Sequence, residues 1–285
     1  MRKVLAAAVA ALTMAVGGTV TAQSRDAVAP PGSAKTEVLW LGQAAFRITT
    51  PGGKSIVIDP FFTGNPKTPA EWKHLDSIGK VDAILVTHGH ADHFADAPGL
   101  AKKHGAPVLV QGGLGSSIAA LGLIPSNQLQ RFNKGGTVAL FGPTGVKVTM
   151  TPADHSSELL HKNPATGKDE IHVGGEPVGY VLELEDGFRI YHMGDTGLFG
   201  DLKLIGERLK PDLVLVPIGG HFTMDPKDAA FAVREYLKPR YAIPMHYATL
   251  PVLKGTPQEF IQALGGSART EVITLQPGEA VRFPR

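Results

Sequence analysis

The chain has 285 residues and no cysteine, which excludes structural disulfides and a cysteine-linked lipid anchor. Its 28 Lys and Arg stand against 26 Asp and Glu, and loss of the N-terminal segment described next removes Arg2 and Lys3, leaving 26 of each sign. That balance lacks the basic surplus with which nucleic-acid enzymes meet a phosphate backbone, so no nucleic-acid substrate is expected and a small molecule is.

Arg2-Lys3, the apolar run Val4 to Val16, Gly17-Gly18 and then Val20-Thr21-Ala22 form the basic, hydrophobic and small-residue regions of a secretory signal peptide over residues 1–22. The run is shorter than the roughly 20 residues of a membrane span. No stable anchor is therefore expected after cleavage, and the mature protein is expected to be periplasmic or secreted. Residues 23–34, with their alanines and prolines, read as a flexible lead-in, and 35–285 as one domain near the upper size of a single core.

Glu37 to Leu41, Ala44 to Thr49 and Ser55 to Asp59 are short apolar runs punctuated by Gly42-Gln43 and Pro51-Gly52-Gly53, an opening set of antiparallel strands. Thr68-Pro69, Asp225-Pro226 and Thr256-Pro257 each put a capping side chain before a proline at the first helical position, where the missing N–H costs nothing. Gly79, Gly265 and Lys238-Pro239 are the matching stops. Val81 to Val86 is a buried-type strand that runs directly into Thr87-His88-Gly89-His90-Ala91-Asp92-His93. Phe94 to His104 is helical by apolar spacing, and His155 follows the strand-like run Val146 to Thr151. Asp186-Gly187 between Tyr180 to Glu185 and Phe188 to Met193 is a strong hairpin signal, and Asp195 lies just beyond it. A helix over Asp201 to Lys210, a strand through Val214 to Gly220 reaching His221, and one around Ala242 reaching His246 complete an α/β (α+β) pattern. The first and second hairpins both end in an aspartate, Asp59 and Asp195, an echo expected of two similar β-rich halves packed together.

The spacing His-x-His-x-Asp-His carries chemistry. Residues two apart in an extended segment point the same way, so His88 and His90 converge on one metal ion. Asp92 and His93, in the turn that opens the next helix, point elsewhere and suit a second ion beside the first. With only 11 His in the chain, three of them in six residues mark a metal site rather than a solvated loop.

This segment resembles the metal-binding signature of the metallo-β-lactamase superfamily. Leu41-Gly42, Ile58-Asp59-Pro60-Phe61, Thr151 to Ser157, Gly194 to Phe199, Gly219 to Met224 and Pro244-Met245-His246-Tyr247 extend the resemblance along the mature chain. It is closest to the metal-dependent hydrolases related to ascorbate-6-phosphate lactonase. The resemblance implies a four-layer αββα sandwich. It implies that His155 joins His88 and His90 on the first ion, that Asp195 bridges, and that His246 completes the second ion with Asp92 and His93. Zinc is the expected metal, with manganese or iron as alternatives, since imidazole and carboxylate together suit all three.

Such a pair of ions lowers the pKa of water from 15.7 to about 7, so a metal-bound hydroxide can attack while a metal polarises the electrophile. The expected protein is an exported binuclear hydrolase of a small ester, lactone or phosphodiester. A β-lactamase-like amide hydrolase and a non-catalytic metal-binding protein on the same fold are the alternatives. The absence of Cys excludes the β-lactamases with a cysteine ligand, and His90 stands where the otherwise similar flavodiiron proteins have glutamate. Asp92 or Asp195 could pass on the proton. Asp59 is expected to hold the His88 to His93 loop by hydrogen bonds, and His221 to touch the substrate or donate a proton.

Overall fold

The computed structural model describes residues 36–266 and 269–283, so the expected signal peptide (1–22) and lead-in (23–34) lie outside the described residues. The chain begins with β1 (Thr36–Gly42), β2 (Ala45–Thr49) and β3 (Ser55–Ile58), paired antiparallel. To these β4 (Ala83–Leu85), β5 (Val108–Gln111) and β6 (Leu129–Phe132) are added in parallel. The second sheet starts with β7 (Thr137–Ala139) and β8 (Lys147–Pro152), and a separate hairpin follows, β9 (Glu158–Lys162) with β10 (Asp169–Val173). Next, β11 (Val178–Glu183) and β12 (Arg189–His192) join β8 antiparallel, and β13 (Leu213–Pro217), β14 (Tyr241–Met245) and β15 (Glu271–Val272) extend the sheet in parallel. Finally β16 (Ala280–Phe283) returns to the free edge of β1.

Two seven-stranded sheets result, in the orders β16-β1-β2-β3-β4-β5-β6 and β15-β14-β13-β12-β11-β8-β7. Both switch from antiparallel to parallel pairing after the same strand of the pattern, β3 in one and β12 in the other. Asp59 and Asp195 follow those two strands, so the echo between them is one of topology.

Alternation along the strands builds the layers. Val38, Trp40, Phe46, Ile48, Ile56 and Ile58 face the other sheet and pack with Met150, Tyr180, Leu182, Ile190, Leu215 and Ile243. Their neighbours Leu39, Leu41, Val57, Ile84 and Val86 face outward, under α2 (Ala97–His104) and α3 (Gly112–Ala120), which follow the short α1 (Ala91–Phe94). On the far side, Val181, Tyr191, Val214 and Val216 are covered by α4 (Leu202–Leu209), α5 (Pro226–Phe231) and α6 (Pro257–Leu264). Helix, sheet, sheet, helix is the αββα sandwich. At about 1.5–3 kcal/mol for each fully buried Leu or Ile, three such clusters hold the strand ends rigidly in place.

The caps behave as their residue types require. Asp225 accepts from the backbone N–H groups of Lys227 and Asp228, and Thr256 with Glu259 forms a reciprocal capping box. Thr68-Pro69 is different: only one tight turn, Ala70–Trp72, follows, and the Thr68 hydroxyl donates to the Leu41 carbonyl, tying the loop to β1. The expected helix from Phe94 to His104 is split into α1 and α2, because Asp96 turns its carboxylate to the N–H groups of Phe62 and Thr63. Among the described residues, no helix is long and apolar enough to cross a membrane.

Candidate metal centre

The residues singled out by their positions after strands gather at one end of the sandwich, where the parallel strands of both sheets finish. β4 delivers His88 and His90, and α1 presents Asp92 and His93 in its single turn. β8 leads to His155, β12 to Asp195 and β14 to His246. Two glycines make the approach possible. Gly194 turns at φ 64 with Val178 O where a Cβ would stand, and Gly89 lies against the Glu158 carbonyl between the two histidines.

Three groupings have donor atoms that all lie within 4.8 Å of one another: His88, His90 and His155; His88, His93 and Asp195; Asp92, His93 and His246. The groupings overlap, and Asp195 reaches across them. Its Oδ2 lies 2.9 Å from His246 Nε2 and 3.7 Å from His155 Nε2, while its Oδ1 lies 3.4 Å from His93 Nε2. All of the expected metal-binding residues are therefore brought together.

Beneath them sits Asp59, fully buried and at φ 47 in the left-handed region. Its Oδ1 accepts from Thr87 N at 2.7 Å, and its Oδ2 from the Thr87 hydroxyl and His93 Nδ1, each at 2.7 Å. A carboxylate only accepts, so His93 must carry a proton on Nδ1, which turns Nε2 toward Asp195. The Thr87 hydroxyl has spent its proton on Asp59 and so accepts from His88 Nδ1 at 3.0 Å. That frees His88 Nε2, which lies 3.0 Å from His90 Nδ1. One aspartate orients two imidazoles, as the sequence suggested for the His88 to His93 loop.

Other contributors were not expected. Glu158, from β9, lies 2.8 Å from His90 Nε2 and fixes that ring with Nδ1 inward. Gln43 is buried at φ 50 between β1 and β2, and its amide donates to Asp92 Oδ2 at 2.8 Å and lies 2.8 Å from His246 Nε2. Gln43 follows a strand just as the histidines do, which is the signal that could have found it; Glu158 offered none, because its hairpin has exposed faces. Gln43, Asp59 and His246 (φ 56) are all non-glycine residues in the left-handed region, a conformation costing roughly 1–3 kcal/mol each and typical of functional sites.

His221 behaves otherwise. It follows β13, but it is exposed at φ 61, with its ring edge on Phe222, and lines a shallow groove with Asp225 and Lys254 away from the donor cluster. The chain turns at Gly220 so that Phe222 faces the site and His221 does not. His192 is buried among packed neighbours, lying 2.8 Å from Ala44 O and accepting from Gly194 N.

The electrostatics of the cluster ask for positive charge. Burial opposes ionisation of Asp195, but His246 and His93 outweigh it and hold the carboxyl well below the usual carboxylate range. Burial disfavours a charge on His246, yet the Asp195 carboxylate raises that imidazole to about 9. His93, equally buried, is lifted well above its ordinary value by Asp195, Asp92 and Asp59. His88 and His155 are pushed down, chiefly by burial. Protons on His93 and His246 thus stand where cations would sit. His93 Nε2 and Asp195 Oδ1 are buried with no hydrogen-bond partner. Buried polar atoms normally find one, so this donor set fits divalent metal.

Above the cluster opens a cavity of about 560 Å³, floored by Asp92, His155, Asp195 and His246 and walled by Phe61, Pro66, Phe222 and Leu250. Its size suits a small molecule.

Comparison with known proteins agrees with this picture. Residues 54–247 match the β-lactamase superfamily domain. A UPF0173 metal-dependent hydrolase of Cupriavidus necator is 60% identical over 99% of this chain and 99% of its own length. Another, from Rubrobacter xylanophilus, is 47% identical over 86% of this chain and 95% of its own. Among solved structures, the metallo hydrolase Igni18 of Ignicoccus hospitalis superposes with a TM-score of 0.73 at 32% identity, covering 87% of this chain and 98% of that one. With that identity along nearly its whole length and this fold beneath it, the chain belongs to the UPF0173 metal-dependent hydrolases of the β-lactamase superfamily.

Proposed function

We propose that the protein is an exported, binuclear hydrolase of a small ester, lactone or phosphodiester. The observation that carries the binuclear reading is the carboxylate of Asp195, whose oxygens lie 2.9 Å from His246 Nε2, 3.4 Å from His93 Nε2 and 3.7 Å from His155 Nε2. His88, His90 and His155 would hold one ion, Asp92, His93 and His246 the other, and Asp195 both. Divalent ions held there would supply Lewis acidity and bring the pKa of water near 7. Zinc suits this mixture of imidazole and carboxylate, and manganese or iron does so nearly as well.

The chain's own residues do the rest. Asp59 and Glu158 hold the rings so that the Nε2 of His88 and His93 and the Nδ1 of His90 face the donor cluster, and the proton that His93 holds there without metal would leave when an ion binds, with no ring having to turn. The site is preorganised. Both carboxylates line the cavity, but Asp92 is about a third exposed (32%) and Asp195 only 3%. Asp92 is therefore the carboxylate placed to carry a proton from water to the leaving group. Gln43 steadies it through its amide. His221 has no part in this reading, since its ring does not line the cavity. Export rests on the three-part N-terminus alone and places the substrate in the periplasm or outside the cell.

The test is elemental analysis of the purified mature protein, joined to a panel of lactones, carboxylic esters, phosphodiesters and β-lactams. Two ions per chain with turnover of a lactone, an ester or a phosphodiester are expected, and turnover confined to β-lactams would replace this reading with an amide hydrolase.

A further inference from the structure

Beyond the donor set, the walls of the cavity are apolar. Phe61 and Pro66 come from the loop after β3, Phe222 from the turn after β13, and Leu250 from the turn after β14. Phe222 is 52% exposed and Leu250 44%. Neither contributes to the buried clusters that hold the fold together. Large apolar side chains left in contact with water around a concave site mark a surface meant to be covered by a ligand.

The charges are equally one-sided. No lysine or arginine is among the described residues that line the cavity, and its ionisable groups are the acids and histidines of the donor cluster itself. The polar remainder is Gln43, Ser156 and Thr249, and the Ser156 hydroxyl already donates to Glu158. Glu158, half exposed, lies 2.8 Å from His90, one of the lining residues, and adds negative charge beside it. A phosphate carried on a remote part of a substrate needs Arg, Lys or clustered N–H donors, and here it would meet Phe, Pro, Leu and a carboxylate.

We infer that the substrate is an uncharged carboxylic ester or lactone bearing an apolar alkyl or aryl group, and not a lactone that carries a phosphate. The inference rests on the hydrolytic reading of the site given above. In the reaction, the oxygen of water bonds to the acyl carbon, the acyl–oxygen bond breaks, and a proton passes to the leaving oxygen. A carboxylic acid and an alcohol result, or one hydroxy acid from a lactone.

The experiment uses the mature chain loaded with zinc or manganese and a series of γ-lactones from γ-butyrolactone to γ-decanolactone. 6-Phosphogluconolactone and bis(4-nitrophenyl) phosphate serve as the charged comparators. Burial of each added methylene against the cavity wall should raise kcat/KM about 4-fold until the cavity is filled. Phe222→Ala and Leu250→Ala, both at exposed positions, should flatten that rise while bound metal stays unchanged. A flat series, or a preference for the phosphorylated lactone or the phosphodiester, would overturn the inference.

Calorimetric binding of uncleaved 5-alkyl-2-pyrrolidinones separates this inference from the reading beneath it. If nothing is hydrolysed but affinity climbs with chain length and falls in Phe222→Ala, the apolar site stands and the proposed reaction fails. If binding is also indifferent to chain length, the apolar site fails with it.

Discussion

His93 Nδ1 donates to Asp59 Oδ2 at 2.7 Å, and neither side chain is exposed to solvent. Asp59 also accepts two hydrogen bonds from Thr87, which in turn orients His88. A residue that touches no ion in the proposed arrangement thus decides which nitrogen of two imidazoles faces the donor cluster. Asp59→Asn keeps the size and tolerates the left-handed backbone, but its amide cannot accept all three bonds. Metal affinity should fall about 10–100-fold while the circular dichroism spectrum stays folded; unchanged affinity would show that the tautomers are set some other way.

Glu158 makes the milder version of the same test. It lies 2.8 Å from His90 Nε2 but is half exposed, so water can replace it. Glu158→Ala should weaken metal binding less than Asp59→Asn does, by roughly the low end of the range for such supporting partners, without lowering Tm. A larger loss than in Asp59→Asn would invert the ranking argued from burial.

The metal-free protein should depend on pH in a definite direction. Burial disfavours the charge on His246, but Asp195 lifts its folded pKa to about 9, above the ordinary histidine value of about 6.5. Its charged form is favoured by folding, so its contribution to stability is complete below about 6.5 and is lost as pH rises through about 9. The same proton must leave before an ion can bind at Nε2, so metal uptake at pH 7.5 should release protons. Calorimetry in two buffers of different ionisation enthalpy measures that release, and equal heats in both would contradict it.

His246 and His221 both follow apolar strands, and only the structure separates them. His246→Ala removes a donor 2.9 Å from Asp195, so metal content and activity should fall together. His221→Ala alters an exposed ring outside the cavity and should keep its metal, with turnover within about threefold of the parent. A loss of about 10²–10⁴-fold with metal intact would mark a proton-transfer role for His221 after all.

Much of this was legible in the sequence because the side-chain types and the period of the strands carried it. The buried run into His88, the Asp186-Gly187 hairpin and the Asp225-Pro226 and Thr256-Pro257 caps all sit where local chemistry puts them. His155, Asp195 and His246, which the structure brings together, could be singled out because each follows a strand and matches the family resemblance. Local pattern failed where long-range contacts decide. Thr68-Pro69 has the capping chemistry of a helix, but the Thr68 hydroxyl is drawn to Leu41. α3 was hidden by Gly112, Gly113 and Gly115, and is capped by the side chain of Gln111, a residue type not usually read as a cap. Glu158 lies on a hairpin with exposed faces, and nothing in its neighbours points to His90. The direction of the His221 ring, away from the cavity, is set by a left-handed turn that periodicity cannot register.

The sharing of Asp195 between two ions is the claim on which the rest depends, and metal stoichiometry tests it most directly. Elemental analysis of the protein reconstituted with zinc or manganese should give two ions per chain, and Asp195→Ala should lower that number. A count that never exceeds one in the parent protein, whichever metal is supplied, would contradict the account.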